Sequence, residues 1–340
     1  MRFYSAQDLD RAITLDDAIA ALEQAFMDYN QEDIVLGGRL MAPCGKPGDS
    51  SLILPATHTR KQVYGFKQAT TFSENARRGL PTVLSQYFLY SNLTGQPCAV
   101  MDFLEMTNVK TGVAAAIAAK HLALPEARVA GIIGSGALSR SVLAAICKVR
   151  KIERVNIFDL NPDQAKAFAQ YSENTLNVEC RVAESTRACI RDAQILCTCT
   201  TSRKPVLDGD DLPPGCHINA MGSYKLDMQE LDEKTVRRAD RIVTDVPRDT
   251  LKMSGDLAGL VNQGDVVALD RIMAGEIPGR RSKKDITIYE SIGFSVLDMA
   301  LALLAHESCL SKGCGYPVAF SYGDSPQQGI AKERVGASRK

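Results

Sequence analysis

The sequence predicts an α/β fold of two domains, and three observations lead to this prediction. The chain has 340 residues, more than one compact domain usually holds. From about residue 127 onward, short β-rich runs alternate with helical stretches, as in a parallel sheet covered on both faces. Before that point, strand-like runs are separated only by turns that contain Gly and Pro, as in an antiparallel sheet.

The first region, residues 1 to about 115, is predicted to be a sheet with flanking helices. Residues 16–29 place apolar side chains at helical intervals. Four strand-like runs follow, SLILPA, VYGFKQATTF, SQYFLY and PCAVMD. The segment SNLTGQP joins the last two runs and is typical of a hairpin turn.

The second region carries the alternating pattern. Its strand-like runs are RVAGII, RVNIFD, VECRV, ILCTCT, HINAMG and RIVTDV, with helical or loop segments between them. A long helical run, IGFSVLDMALALLAHESCL, closes the structured part. The polar tail, residues 326–340, has little to bury and is expected to be flexible.

Composition excludes several classes of function. Apolar residues make up 45% of the chain, and the 40 Lys and Arg balance the 40 Asp and Glu. A neutral chain creates no net field to attract nucleic acid or an anionic membrane. No apolar run approaches the roughly 20 residues that span a bilayer, and no secretory-signal pattern is present. We therefore expect a cytoplasmic protein that binds small molecules.

The ten cysteines do not predict a metal site or a disulfide framework. Most of them lie in apolar stretches such as ILCTCT and LAAICKV, where reduced and buried thiols are expected. No Cys/His quartet has a spacing suited to zinc, so no metal is predicted.

The segment RVAGIIGSGALS, residues 128–139, combines a strand, a glycine turn and the start of a helix. Gly134 and Gly136 take the first two positions of G-x-G-x-x-G, and Ser139 takes the third. The first glycine allows a sharp turn, and the second lets a pyrophosphate approach the free N–H groups of the helix. The residues predicted to contact the dinucleotide here are Gly134, Ser135, Gly136, Ala137 and Leu138. A glycine turn without a ligand is the alternative.

Asp159 supports the dinucleotide interpretation. It ends the next strand-like run, RVNIFD, close to the ~20-residue offset expected of the carboxylate that binds the ribose hydroxyls. This carboxylate would repel a 2′-phosphate, and no Arg follows directly. The sequence therefore predicts a Rossmann domain that binds NAD rather than NADP.

Many segments together resemble the ornithine cyclodeaminase/mu-crystallin family over nearly the whole chain. They include GFKQATTFSEN, RGLPT, LTGQPCAVMD, MTNVKTGVAAAIAAKHLA, GIIGSGALS, HINAMGSYKLDMQELD, GEIPGR and ITIYESIGFSVLDMALA. The resemblance implies a Rossmann domain, residues 116–294, inserted into an α+β substrate-binding and dimerisation domain, residues 1–115 plus 295–325. It also implies a homodimer, with an α-amino acid or its imine as substrate.

The resemblance leaves three functions open. The leading one is an NAD-dependent oxidoreductase acting on the C–N bond: an amino-acid dehydrogenase, a ketimine or pyrroline-2-carboxylate reductase, or an opine-like dehydrogenase. An opine-like substrate with two carboxylates stays possible because Arg60 adds to the cations expected near the pocket. The second is ornithine cyclodeaminase, an ammonia-lyase that regenerates its NAD. The third is a mu-crystallin-like protein that binds NAD(P)H without turnover.

By the same resemblance, Arg39, Lys67 and Lys110 fall at catalytic and substrate-binding positions. A planar guanidinium binds a carboxylate through two parallel hydrogen bonds. Lys67, in a strand-like context, could exchange a proton with the substrate nitrogen if burial lowers its pKa. A solvated surface cation is the alternative for Arg39 and Lys67. Thr111 and Gly112 are expected to begin a helix and to offer backbone N–H groups to an anion.

Two positions depart from the family pattern. Lys110 stands where the family usually has Arg. A lysine keeps the positive charge but cannot form the two parallel hydrogen bonds of a guanidinium. Ser223 and Tyr224 follow Gly222, where cyclodeaminases of the family carry an Asp that serves as catalytic base. The missing carboxylate favours simple hydride transfer, unless a loop returns Asp227 to the site.

Segments at strand ends are expected to frame the nicotinamide, because ligands bind outside the carboxyl ends of parallel strands. The residues expected there are Thr198, Thr200, Ser202, Asn219, Met221, Gly222, Ser223, Ser291 and Gly293. Asp298 also fits the family pattern, either as a helix-stabilising or as a catalytic group.

Overall fold

The computed structural model describes residues 1–320 of the chain. The predicted tail, residues 326–340, and residues 321–325 of the predicted second segment lie outside this range. No helix within the range is both long and apolar enough to cross a membrane.

The N-terminal part alternates helices with a run of strands. Its elements are β1 (Arg2–Tyr4), α1 (Ala6–Ala12), α2 (Leu15–Asn30), β2 (Ile34–Leu36), β3 (Leu40–Pro43), β4 (Ser50–His58), β5 (Val63–Thr71), β6 (Val83–Ser91), β7 (Pro97–Asp102) and α3 (Leu104–Leu122). A 3-10 helix, Ser73–Arg78, connects β5 to β6. The first two helices begin at capping boxes, in which Ser5 and Thr14 accept from the backbone N–H groups of Asp8 and Asp17.

The central part has the predicted alternation of strands and helices. Its elements are β8 (Val129–Ile133), α4 (Ala137–Val149), β9 (Arg154–Phe158), α5 (Pro162–Leu176), β10 (Glu179–Val182), α6 (Thr186–Ile190), β11 (Ile195–Thr198), β12 (His217–Ala220), α7 (Glu233–Arg238), β13 (Arg241–Thr244), α8 (Pro247–Met253), β14 (Val266–Ala268), α9 (Leu269–Met273) and β15 (Thr287–Glu290). Short 3-10 helices lie at Gly209–Asp211 and Gln263–Asp265. The chain then returns through α10 (Ser295–Ser311) and β16 (Tyr316–Pro317).

The strands of residues 1–320 form two sheets. The first has the order β16-β1-β7-β6-β5-β4-β2, with β3 beside β4, and its central strands are antiparallel. The second has the order β10-β9-β8-β11-β12-β15-β13-β14, and its described pairs are parallel. Strand β9 lies on one side of β8 and β11 lies on the other. The strand order therefore reverses direction at β8, which is the topological switch point of a Rossmann domain. The predicted fold class is confirmed.

Two helices connect the sheets. Helix α10 packs over β4, β5 and β6 and brings the returning chain onto the first sheet. Helix α3 packs against both α2 and α4, and its residues Val113 to Ala119 are all buried. The boundary proposed between residues 115 and 116 therefore falls inside a continuous helix.

Candidate active site

A cavity of about 610 Å³ lies at the switch point of the second sheet. The residues after β8, β9 and β11 line it, as expected for ligands that bind at the carboxyl ends of parallel strands. Among the predicted cofactor contacts, those lining the cavity are Gly134, Ser135, Gly136, Asp159, Thr200 and Ser202. Ala137 lines an adjoining cavity of about 710 Å³.

The glycine turn fits a diphosphate. Gly134 has φ +91°, and a Cβ there would lie 2.7 Å from the carbonyl oxygen of Cys199, so only glycine suits this position. Gly136 precedes α4 without a side-chain cap, and apart from its chain neighbours no described residue has an atom within 4 Å of its Cβ position. This leaves open space beside free N–H groups, where a phosphate binds well. Ser139, at the third motif position, is buried and donates to the Gly134 carbonyl oxygen at 2.6 Å.

Asp159 lies against the same turn. Its Oδ2 accepts from the backbone N and the Oγ of Ser135, both at 2.7 Å, and its Oδ1 accepts from the N–H of Asn161 at 2.8 Å. Partial burial acts to raise the pKa of Asp159, but these hydrogen bonds outweigh it and lower the pKa. The group is therefore an anion beside the cavity, suited to hydroxyl donors and unfavourable to a second anion.

Glu230 joins the ends of β11 and β12, and the sequence analysis missed it. Its carboxylate accepts from Thr198 Oγ1 at 2.8 Å, from the N–H of Thr200 at 2.6 Å and from the N–H of Gly222 at 2.7 Å. A Cβ at Gly222 would lie 2.1 Å from the Thr200 carbonyl oxygen, so the two loops touch. Burial raises the pKa of Glu230, against the effect of these hydrogen bonds. A lone Glu in a loop carries no spacing signal that could have identified it.

Several predicted nicotinamide contacts point their side chains elsewhere. Thr198 bonds to Glu230, and Asn219 bonds to His217 at 3.2 Å; both are fully buried. Ser223 donates to the carbonyl oxygen of Met228 at 3.0 Å. Any contact that Thr198, Asn219 or Ser223 makes with a cofactor would therefore come from the backbone. Met221 is buried in the core, and Leu138 is partly buried against it.

The structure brings the predicted cations together beyond the end of β15. The Nζ atoms of Lys67, on β5, and Lys110, on α3, lie 3.0 Å and 3.5 Å from Oδ1 of Asp298, on α10. All three side chains are buried. Arg39, in the segment before β3, donates to the carbonyl oxygen of Ile292 at 2.9 Å.

Gly293 marks where these cations converge. It has φ +94°, and a Cβ there would lie 3.7 Å from Nη2 of Arg39 and 3.9 Å from Nζ of Lys110. The side chain of Ser291, two residues earlier, donates to the buried carboxylate of Asp245, which also accepts from the hydroxyl of Tyr289. Burial raises the pKa of Asp245 despite these hydrogen bonds.

Lys67 has the environment of an acid–base group. Burial lowers its pKa to about 8; Asp298 acts in the opposite direction, and the charges of Lys110 and Arg39 lower the pKa further. An amine that titrates near neutral pH can both donate and accept a proton. The pKa of Arg39 is also lowered by burial, although Asp249, Asp298 and Asp245 oppose the shift.

One expectation is wrong, and two possibilities that the sequence left open do not occur in the structure. The expectation that Thr111 begins a helix is wrong, because α3 begins at Leu104 and the Thr111 hydroxyl bonds within it to the Thr107 carbonyl oxygen at 2.8 Å. A mid-helix N–H group is not free for an anion. Asp227 does not return to the cations; it is exposed and pairs with Arg203 at 3.4 Å. Arg60 pairs with Asp28 and Asp33 instead.

The two halves of the site share one edge of the second sheet. In spatial order, the edge runs from the glycine turn after β8, past the loops after β11 and β12, to Gly293 after β15. Adjacent strands are roughly 4.8 Å apart, so about 15 Å separate the phosphate-binding turn from the cations. An elongated ligand held at the turn can thus place its other end beside Lys67.

Comparison with known proteins places this geometry in context. A sequence model of the ornithine cyclodeaminase/mu-crystallin family matches residues 2–313. A Δ(1)-pyrroline-2-carboxylate reductase of Bacillus cereus is 30% identical over 326 residues, which cover 94% of this chain and 100% of that protein.

Two solved structures superpose closely on this one. That of Thermococcus litoralis Δ(1)-pyrroline-2-carboxylate reductase in complex with NADH and L-proline has a TM-score of 0.90 and 33% identity, and the match covers 94% of this chain and 100% of that one. That of an archaeal alanine dehydrogenase dimer with bound NAD has a TM-score of 0.88 and 31% identity, covering 94% and 99%.

Proposed function

This chain belongs to the ornithine cyclodeaminase/mu-crystallin family, and on that premise we propose that it reduces cyclic imines of α-amino acids, with Δ(1)-pyrroline-2-carboxylate as the model substrate. It is an NAD-dependent oxidoreductase acting on an α-amino acid or its imine, the class of its reductase and dehydrogenase relatives. The observation that carries the proposal is the convergence of Lys67, Lys110 and Arg39 at the far end of a dinucleotide cleft.

The residues of the cleft would hold the cofactor. The turn from Gly134 to Gly136 would bind the pyrophosphate, and Asp159 would bind the adenosine ribose in place of its present bonds to Ser135. When bound, NADH supplies a hydride for the α-carbon of the substrate. Glu230 fixes the ends of β11 and β12 and the loops after them, where most of the predicted nicotinamide contacts lie.

The substrate would lie beside the cations, at the end of the cleft next to Gly293. Arg39 would bind its carboxylate, since a guanidinium suits that group and the Arg39 side chain makes a single hydrogen bond within residues 1–320, to Ile292. Lys67 would face the substrate nitrogen and donate a proton to it as the α-carbon accepts a hydride. In the reverse direction Lys67 would take that proton back. Positioning the two partners in this way supplies a large part of the rate.

Ornithine cyclodeaminase is the second candidate, and the loop after Gly222 counts against it. Hydrolysis of an imine needs a base to activate water. The next residue is Ser223, whose hydroxyl bonds to Met228, and Asp227 pairs with Arg203 at the surface. A mu-crystallin-like binding role stays the third candidate, although binding alone does not require a buried, proton-exchanging Lys67.

A homodimer is proposed as well, and the outer face of the first sheet is its interface. Side chains on this face form stacked pairs, Tyr64 with Tyr90 at 5.0 Å and Phe66 with Phe88 at 4.9 Å between ring centroids. Phe3, nearby in β1, is 42% exposed. Exposed apolar patches of this kind mark interfaces, and the archaeal alanine dehydrogenase relative is a dimer. The cytoplasmic location expected from the sequence stays a prediction.

A substrate panel tests the proposed function. NADH would be offered with Δ(1)-pyrroline-2-carboxylate and with pyruvate plus ammonia, and NAD with proline, alanine, ornithine and a carboxyalkyl amino acid. We expect NADH to be consumed fastest with the cyclic imine, in a 1:1 ratio to the proline formed. Faster turnover of pyruvate and ammonia would make the protein an alanine dehydrogenase. Proline and ammonia formed from ornithine without net NADH would make it a cyclodeaminase.

A further inference from the structure

Two lysines share one carboxylate oxygen in this site. The Nζ atoms of Lys67 and Lys110 lie 3.0 Å and 3.5 Å from Oδ1 of Asp298, while Oδ2 has no hydrogen-bond partner among residues 1–320. The three side chains come from β5, α3 and α10, so three separate elements fix their positions. The exposed fractions of the side chains are 5% for Lys67, 4% for Lys110 and 0% for Asp298. Water therefore screens these charges poorly.

The groups facing Lys67 do not balance the two ammonium charges. From α10 comes Asp298, from α3 Lys110, from the segment before β3 Arg39, and from β6 Tyr87, the register partner of Lys67. The pKa of Tyr87 is raised well above its ordinary value by burial and by Asp298, so its hydroxyl is neutral. Arg39 faces Asp249 and Asp245 as well as Asp298, and Asp245, whose pKa burial raises, also faces Lys110. At Oδ1 of Asp298, two lysines meet one carboxylate.

A buried surplus of one positive charge is relieved when one lysine loses its proton. Lys67 is the lysine that loses its proton more readily, because burial and the charges of Lys110 and Arg39 lower its pKa. An Arg in place of Lys110 would keep the charge, whereas an apolar residue would leave Asp298 to Lys67 alone. In that case Lys67 would stay protonated over a wider pH range.

We propose that Lys110 is a positioning residue that acts through Asp298: it competes with Lys67 for the shared oxygen and so keeps Lys67 ready to exchange a proton with the substrate nitrogen. This role differs from that of a clamp for the substrate carboxylate, and it rests on the proposed function. In reduction, the α-carbon gains a hydride, the nitrogen gains the proton of the Lys67 ammonium, and the C=N bond becomes a C–N bond. In oxidation, the same proton returns to the free amine of Lys67.

The test measures the titration of Lys67 directly, without substrate or cofactor. Protein carrying lysine labelled with ¹³C at the ε-carbon would be titrated by NMR, and the Lys67 signal would be identified by its loss in Lys67→Met. We expect a midpoint of about 8 in the unaltered protein. In Lys110→Met the midpoint should rise by about one pH unit or more, whereas in Lys110→Arg it should stay close to that of the unaltered protein. The high-pH limb of kcat/KM for imine reduction should move by the same amounts.

Two results would overturn the inference. One is a normal midpoint above 10 for the Lys67 signal of the unaltered protein. The other is an unmoved Lys67 midpoint in Lys110→Met together with a KM raised tenfold or more, which is the signature of a carboxylate clamp. If the midpoints shift as expected but the protein turns over no imine, the coupling of Lys110 to Lys67 through Asp298 is supported and the proposed function is overturned.

Discussion

The amine of Lys67 and the carboxylate of Asp298 lie 3.0 Å apart although 231 positions separate them in the chain. The contact joins β5 of the first sheet to helix α10, and the whole second sheet lies between these two elements in the sequence. It also places the predicted acid–base group where the dinucleotide cleft ends.

Lys67→Met should abolish turnover and leave NADH binding nearly unchanged. Loss of a positioned acid–base group lowers a rate by about 10²–10⁴-fold. The fold should survive, because Lys110 still pairs with Asp298 in the variant. Steady-state kinetics and a fluorescence titration with NADH check both parts. Lys61→Met, in an exposed turn, is the matched control; loss of NADH binding in Lys67→Met alone would indicate a structural role.

The pH dependence of imine reduction should show the lowered pKa of Lys67. The reaction needs the ammonium form, so kcat/KM should be level below neutral pH and fall as the pH rises through about 8. Amine oxidation needs the free amine and should change in the opposite sense. Lys67→Arg keeps the charge but does not titrate in this range. A limb near pH 8 that persists in Lys67→Arg would assign it to another group.

Asp159→Ser should weaken NADH binding and reduce the discrimination against NADPH. The change removes the anion that would bond to the ribose hydroxyls and repel a 2′-phosphate. A hydrogen bond to a charged group is worth about 1.5–3 kcal/mol, which corresponds to at least about a tenfold loss of affinity. Titrations with both cofactors measure the effect. Asp163→Ser, at an exposed carboxylate nearby, should change neither affinity; equal effects in the two variants would exclude this role for Asp159.

Gly136→Ala should abolish dinucleotide binding without unfolding the protein. The added methyl group meets no atom of the described chain within 4 Å, but it occupies the approach of the pyrophosphate. Thermal unfolding and NADH titration separate the two effects. Gly264→Ala, where the Cβ position is equally open, should be silent in both. An unfolded Gly136→Ala, or one that binds NADH normally, would contradict the assignment.

Phe88→Glu should convert the dimer to a monomer. The substitution places a charge in the aromatic pair with Phe66 on the outer face of the first sheet, where a partner would desolvate it. Sedimentation velocity measures the mass. Val182→Glu, on the edge strand of the second sheet, should leave the mass unchanged. A chain that is already monomeric before substitution would contradict the dimer itself.

Much of the fold could be predicted from local signals. The period of the strand-like runs and the turn at SNLTGQP predicted β4 to β7, and the alternating pattern predicted the second sheet from β8 to β13. Strands β14 and β15 were not predicted. Length is not the reason, since β10 to β13 have four residues each and were predicted. β14 runs directly into α9, and β15 is closely followed by α10, so neither stands apart as a separate β-rich run. The insertion of β15 between β12 and β13 depends on tertiary packing that no local pattern encodes.

From the residues alone, the site was predictable only where a motif has a fixed shape, whereas Arg39, Lys67 and Lys110 were identified through the family resemblance. The glycine turn and Asp159 follow from such a motif, and the structure places them around one cavity. Glu230 acts through contacts with Thr198, Thr200 and Gly222, which lie 8 to 32 positions away. The role of Asp298 toward the two lysines depends on the folding of three distant segments onto one point, so the sequence left it open.

The most direct test of the central claim follows the hydride itself. The protein would be incubated with Δ(1)-pyrroline-2-carboxylate and NADH carrying deuterium at both C4 positions, and the proline formed would be analysed by mass spectrometry. We predict one deuterium at the α-carbon of each proline, with one NADH oxidised per proline. Proline without deuterium, or no proline while the protein binds NADH normally, would contradict the account.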